Sequence, residues 1–163
     1  MGYPDASSIA RRPVEQSDID GLFEQSRDEA SVWMAAFTLD DPSDRRRFDT
    51  HMASVMASPT GVLRAIVRDG ELVGSIASFV LDGRTEITYW VHRVAWGQGV
   101  ASRALALFLD LVRERPLYAR AASDNSASLR VLEKAGFQRV GVEVSFAPAR
   151  RAEIEETVVR LAD

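Results

Sequence analysis

The stretch Trp96-Gly97-Gln98-Gly99-Val100-Ala101-Ser102 has residue types and spacing that could do chemistry. Gly97 and Gly99 leave main-chain N–H groups unshielded, while Ala101 and Ser102 keep the next turn narrow enough for an anion to approach. Consecutive free N–H groups at a helix start, backed by the helix dipole, form a positive nest suited to a phosphate or pyrophosphate. The same glycine pair also fits a plain tight turn before a helix, and the stretch alone does not separate the two. It lacks the Lys-Ser/Thr ending of a P-loop and the third glycine of a dinucleotide fingerprint.

Composition removes several other chemistries. There is no cysteine, which excludes disulfides, thiolate metal sites and a cysteine nucleophile. The two histidines, His51 and His92, are far apart with no carboxylate at ligand spacing, so no metal is expected. A net charge of −4 gives no general electrostatic reason to bind nucleic acid; basic residues cluster only at Arg45-Arg46-Arg47 and Arg150-Arg151. No apolar run reaches membrane-span length and the N-terminus lacks a signal-peptide core, so a cytoplasmic protein without a membrane partner is expected. With 163 residues, 46% of them apolar, one domain over 1–163 is expected.

The elements that must position the glycine loop follow from periodicity. Met1 to Ser7 reads as a frayed start and Ile9 to Val14 as a short strand, with Pro13 arguing for an edge. Ser17 and Asp20 before Leu22 and Phe23 read as the cap of a first helix. Val32, Trp33, Ala36 and Phe37 keep helical spacing, and Ser43 to Ser58 places Phe48, Met52, Val55 and Met56 on one helical face with His51 beside it. Val62 to Val67, Leu72 to Leu81 and Thr85 to His92 are strands joined by Asp69-Gly70 and Asp82-Gly83, an antiparallel meander. On the last strand Glu86, Thr88 and Trp90 share one face, and Ile87, Tyr89 and Val91 the other.

The helix after the loop carries Val100, Ala104, Leu107, Phe108 and Leu111 and closes near Arg115-Pro116. Leu117 to Ala121 returns to the sheet, so strand, helix and strand imply a right-handed parallel crossover. Asp124 or Asn125 caps a helix with Leu129, Leu132 and Ala135 inward, and Gly136 ends it with Phe137 folding back. Phe137 to Phe146 and Ala152 to Leu161 close the chain as two strands joined around Pro148. The expectation is one mixed α/β domain.

Two blocks carry a family resemblance. WVHRVAWGQGVASRAL resembles the acyl-CoA loop of the GNAT (GCN5-related) N-acetyltransferases, and DNSASLRVLEKAGF resembles the block that follows it, in the form found in the RimJ/RimL-type branch. Glu86-Ile87-Thr88-Tyr89-Trp90 is similar to that branch's strand before the loop. Trp96 departs from the superfamily's usual Arg or Gln, and Leu132 stands where many members carry a tyrosine that protonates the leaving thiolate. The resemblance implies an α/β (α+β) fold with a central, mostly antiparallel twisted sheet of six to seven strands and helices on both faces.

It also implies direct attack of an amine on acetyl-CoA in a ternary complex. On that reading the N–H groups of Gln98, Gly99, Val100 and Ala101, with Ser102 in the same turn, hold the pyrophosphate. Main chain around Trp90 and Val91 pairs with the pantetheine arm, and the Val91 N–H faces the thioester oxygen. Asn125 holds the cofactor arm and caps its helix. Arg103 and Arg130 are the nearest cations for the nucleotide phosphates, or else solvated helix faces. Ser128 protonates the leaving thiolate, or else bonds local backbone. Glu86 is the candidate base, or else an exposed strand glutamate. Trp33, Met34 and Phe37 line the acceptor's mouth, or else belong to the core.

A peptide α-amine, with a pKa of about 7.7–8.0, is partly neutral at pH 7, whereas a lysine near about 10.4 needs a strong base. The absence of an obvious histidine or tyrosine base therefore points to a protein N-terminal α-amine. Family habit adds a homodimer. The competing expectations are a small-molecule amine acetyltransferase acting on an antibiotic or polyamine, a non-catalytic acyl-CoA-binding module, and a plain nucleotide-binding domain.

Overall fold

Asp69-Gly70 and Asp82-Gly83 take φ values of 52° and 81°, and 50° and 77°, in the computed structural model, which describes residues 9–163. Positive φ at both central residues matches the strand twist, and aspartate and glycine tolerate it. These turns close the expected meander of β2 (Val62–Arg68), β3 (Glu71–Leu81) and β4 (Arg84–Val91), after an edge strand β1 (Ile9–Pro13) that pairs antiparallel with β2. The expected frayed start, Met1 to Ser7, lies outside the described residues.

Helices α1 (Ile19–Ser26), α2 (Glu29–Ala35) and α3 (Arg45–Ala57) lie between β1 and β2. After β4 come the glycine loop, α4 (Val100–Leu111), β5 (Leu117–Ala122), α5 (Ser126–Lys134), β6 (Gln138–Ala147) and β7 (Ala152–Leu161). The seven strands stand in the order β1-β2-β3-β4-β5-β7-β6, antiparallel except for the β4–β5 pair. The fold is the mixed α/β sheet the sequence implies, with helices on both faces.

One face packs Val100, Ala104, Leu105 and Phe108 of α4 and Leu129 and Leu132 of α5 against Ile87, Ala119 and Val159. The other packs Ile19 and Leu22 of α1 and Met52 of α3 against Ala65. Each fully buried Val, Leu, Ile, Met or Phe among them contributes about 1.5–3 kcal/mol by leaving water.

Local corrections follow from satisfied main-chain groups. The first helix is entered through a 3₁₀ turn at Gln16–Asp18, where the Asp18 carboxylate accepts the Glu15 N–H at 2.7 Å; Ser17 is not the cap. Helix α2 stops at Ala35, so Ala36 and Phe37 lie beyond it. Helix α4 ends at Leu111, short of Pro116, and Leu105 enters the core while Leu107 and Leu111 stay partly exposed.

Two features of the sheet shape the site. β4 is bonded to β3 along its length, but to β5 only from Thr85 to Ile87, beyond which the twist carries the two apart; β5 keeps its other edge on β7 from Leu117 to Ala122. Opposite Val91, Gly74 lets the Trp90 carbonyl come so close that a Cβ would sit 2.1 Å from its oxygen.

Candidate functional site

Beyond Ile87 the parallel ladder stops and β4 and β5 part, opening a cleft of about 650 Å³ that runs from the glycine loop to the β3–β4 hairpin. Alternate residues of a strand send their main-chain groups to opposite neighbours. The His92 N–H bonds the Val73 carbonyl of β3 at 2.7 Å, so Tyr89 and Val91 turn theirs toward the opening and Trp90 turns its own toward β3. Val91 is thus the more available of the two residues singled out there. The Trp96 indole N–H takes the Val91 carbonyl at 2.8 Å, leaving its N–H as the free donor. The Trp90 side chain works elsewhere, bonding the Gln25 carbonyl of α1 at 3.3 Å.

At one end of the cleft Gly97 and Gly99 hold φ values of 73° and 76°, and open space lies where either Cβ would stand. The N–H groups of Gln98, Gly99, Val100, Ala101 and Ser102 find no acceptor among the described residues. A run of five such donors at the head of a twelve-residue helix is a preformed anion cradle. The Gln98 side chain points away, donating to the Val94 carbonyl at 3.2 Å and accepting from Arg68, which pins the loop to β2. Arg93 ties the same segment to Asp28 at the start of α2, at 3.0 Å. Across the cleft, Arg130 lines the wall one helical turn from Lys134, which the sequence reading did not name. Arg103 is exposed and outside the lining, because it lies on the outer side of α4.

Midway along the cleft, Asn125 caps α5: its Oδ1 accepts the Ser128 N–H at 3.2 Å and its Nδ2 donates to the Met34 carbonyl at 3.4 Å. This fixes the first turn of α5 and with it Ser128, whose Oγ lies 2.8 Å from the Tyr89 hydroxyl. Sequence reasoning missed Tyr89. The signal was its parity with Ile87 and Val91, since a tyrosine on a core face needs a partner for its hydroxyl. Burial pushes the Tyr89 phenol above its ordinary value, outweighing the opposing bond to Ser128, so it stays protonated at neutral pH.

At the far end the sheet face carries a row of charge. Glu86 on β4 is buried, not an exposed strand residue, and both its oxygens face Arg120 Nε of β5, at 3.1 and 3.4 Å. Arg120 Nη1 also donates to Glu143 of β6 at 2.5 Å. Glu156 of β7, paired with Glu143 across the hairpin, lines the cleft; burial pushes its carboxyl up, Arg120 pulls it down, and Glu143 and Glu86 push it up again. Phe37, Thr38, Phe79 and Leu81 complete this end, with Met34 nearby. Trp33 does not line it: this residue is 55% exposed on the outside of α2, under the Arg150 guanidinium. His51 is exposed on α3, and no group of three or more potential metal ligands exists among the described residues. No helix among them is long and apolar enough to cross a membrane.

The arrangement can hold an anionic group at one end, offer strand-like donors along its length, and present a hydroxyl pair and carboxylates beyond. Comparison with known proteins gives the family. Residues 10–138 match the model of the acetyltransferase (GNAT) domain. The N-alpha-acetyltransferase RimI of Mycobacterium tuberculosis is 31% identical over 111 residues, covering 65% of this chain and 68% of that protein. The structure of RimJ from Mycobacterium smegmatis, in complex with CoA-disulfide, superposes with a TM-score of 0.79 at 21% identity, over 94% of this chain and 81% of that one. That of YncA from Salmonella typhimurium, with its cofactor acetyl-CoA, gives 0.76 at 19% identity, over 95% and 94%. The chain belongs to the GNAT acetyltransferase family.

Proposed function

We propose that this protein is an acetyl-CoA-dependent N-acetyltransferase whose acceptor is the α-amine of a peptide or protein N-terminus. The observation that carries the reading is one continuous path through the cleft. It starts at the unpaired N–H groups of Gln98 to Ser102, follows the unpaired side of Tyr89 and Val91, and reaches the Ser128–Tyr89 hydroxyls. These donors fit acetyl-CoA, a pyrophosphate with a long amide-bearing arm, and the open space at Gly97 and Gly99 leaves room for its phosphates. Bound acetyl-CoA supplies a thioester whose acetyl carbon an amine can attack. Arg130 and Lys134 would serve its phosphates, the Val91 N–H would serve the carbonyl oxygen, and Asn125, by capping α5, would keep that helix in place beside the arm. Ser128, backed by the protonated Tyr89, supplies a proton to the departing sulfur. Glu86 and Glu156 attract the cationic acceptor and receive its proton directly or through water.

The peptide reading rests on the low demand an α-amine makes for a strong base, and on the RimI relative being named an N-alpha-acetyltransferase. The partly exposed Phe79 and Leu81 in the lining suit a long acceptor that leaves the cleft. A second reading, a small cationic amine, is favoured by Glu143 and Glu156 beside Glu86, which add negative charge to this end.

The test is thermal unfolding of wild type and Gly99→Asp with acetyl-CoA, coenzyme A, ATP or NAD. Saturation at about 100 times Kd adds about 2.7 kcal/mol to the folded state, or about 5–10 °C for a chain of this size. Both CoA species should shift the wild type by this amount, and neither should shift Gly99→Asp, whose carboxylate would occupy the cradle. An equal shift with ATP, or none with CoA, removes the cofactor assignment. Transfer to N-terminal peptide amines in preference to free polyamines then separates the two acceptor readings.

A further inference from the structure

Helix α2 is only seven residues long, too short to hold itself in water, yet Met34 and the residues just beyond it form one wall of the cleft. Its start is fastened by Asp28, which caps the Ser31 N–H at 3.0 Å and accepts from Arg93. Its end is made differently. Ala36 is fully buried at φ 65° and ψ −46°, and the Phe37 N–H bonds the Ala35 carbonyl at 2.7 Å. This is the strained form of γ-turn, in a backbone region that alanine rarely occupies. The turn aims Phe37 and Thr38 into the cleft, and something outside the helix must hold it.

The last carbonyls of α2 show what does. A helix end leaves its final carbonyls without internal partners, and here three are taken by remote donors. Ala36 accepts from the Ala149 N–H at 3.1 Å, Trp33 from Arg150 Nε at 3.0 Å, and Met34 from Asn125 Nδ2 at 3.4 Å. Ala149 and Arg150 belong to the turn between β6 and β7. The Arg150 guanidinium lies 5.0 Å above the Trp33 ring and grips both oxygens of Asp124, at 2.5 and 2.9 Å. Its side chain is 8% exposed, while that of Asp124 is 63% exposed, so the arginine is covered and its partner carboxylate faces solvent. Asp124 immediately precedes Asn125, so this one side chain joins the end of α2 to the start of the helix that bears Ser128. The Arg150 bond holds the Asp124 carboxyl below its ordinary value.

We infer that Arg150 is a positioning residue that fixes the acceptor wall of the cleft, holding Met34, Phe37 and Thr38 at a set distance from Ser128, and that it governs use of the amine rather than of acetyl-CoA. The inference rests on the transferase reading for which end receives the amine; the geometry of the clamp does not. Arg150→Lys keeps the charge but cannot span Asp124 and the Trp33 carbonyl together.

The experiment pairs kinetics with hydrogen exchange on Arg150→Lys and, from the other side, Asp124→Asn. In both variants amide exchange across residues 33–38 should rise about tenfold while residues 99–104 stay as in wild type and the CoA-induced thermal shift persists. KM for the best peptide amine should rise about tenfold, as expected for a misplaced wall, with KM for acetyl-CoA unchanged. Unaltered exchange over 33–38 overturns the clamp. Unaltered amine KM, or equal rises in both KM values, overturns its role in acceptor use. If wild type acetylates no amine, the transferase reading falls instead, and the exchange result still decides whether Arg150 holds the wall.

Discussion

On the proposed mechanism Ser128 gives the departing sulfur its proton with the Tyr89 hydroxyl, not a histidine, beside it. A lone serine hydroxyl on a helix often bonds only local backbone, but here Oγ lies 2.8 Å from a phenol that burial keeps protonated. Proton delivery to a leaving group typically contributes about 10²–10⁴-fold. Ser128→Ala should therefore lower kcat about 100-fold with KM for acetyl-CoA little changed, and Tyr89→Phe should lower it less because the serine remains. Because the Tyr89 pKa lies above its ordinary value, wild-type kcat should not fall between pH 7 and about 9 through loss of this proton. A decline there in wild type that is absent in Tyr89→Phe would show that the phenol ionises within that range. Ser128 and Asn125 were legible in the chain because their spacing matches a known block. Tyr89 was not, since its role depends on α5 lying over that face of β4.

Among the elements, the parting of β4 from β5 does most to make the site, and on its other side Gly74 lets β4 sit close against β3. The Trp90 carbonyl occupies the space a Cβ would need, so Gly74→Ala must push the Trp90–Val91 main chain away from β3. Overpacking of this kind costs about 1–3 kcal/mol. The variant should also lose part of the CoA-induced thermal shift, since the displaced segment carries the free Val91 N–H. A variant that loses stability but binds CoA as wild type would separate Gly74 from the site. The meander and the parallel crossover were readable from turn residues and period, yet the place of β7 between β5 and β6, and the point at which β4 and β5 separate, were not. That point depends on how the sheet twists once β5 is fixed on its other edge by β7, the last strand in sequence.

At the scale of the whole molecule, long-range ion pairs join parts that the chain keeps apart. Asp18 is nearly buried and held by both Arg12 nitrogens, at 2.7 and 2.8 Å, which fastens α1 to the edge strand β1. The Arg12 bond pulls its pKa down more than burial raises it. A carboxyl whose folded pKa lies below its unfolded value stabilises the fold above the unfolded pKa, and this contribution is lost as pH falls through the folded one. Acid unfolding should therefore steepen below about pH 4, and Asp18→Asn should shrink that limb, to which Asp28 and Asp124 also contribute, while costing about 1.5–3 kcal/mol at pH 7 for the lost charged hydrogen bonds. Chemical denaturation at pH 7 and pH 3 checks both. By itself the sequence determined the glycine turn before α4, a cap for α5 at Asp124 or Asn125, and the meander, because each depends on residues within a dozen positions and on local rules of φ, capping and period. Only the tertiary structure decided that Glu86 is buried against Arg120, that Trp33 faces outward, and that Arg150 spans α2 and α5. Those outcomes turn on which strands and turns meet across distant stretches of chain, where side chains must satisfy charges and carbonyls that local pattern does not show.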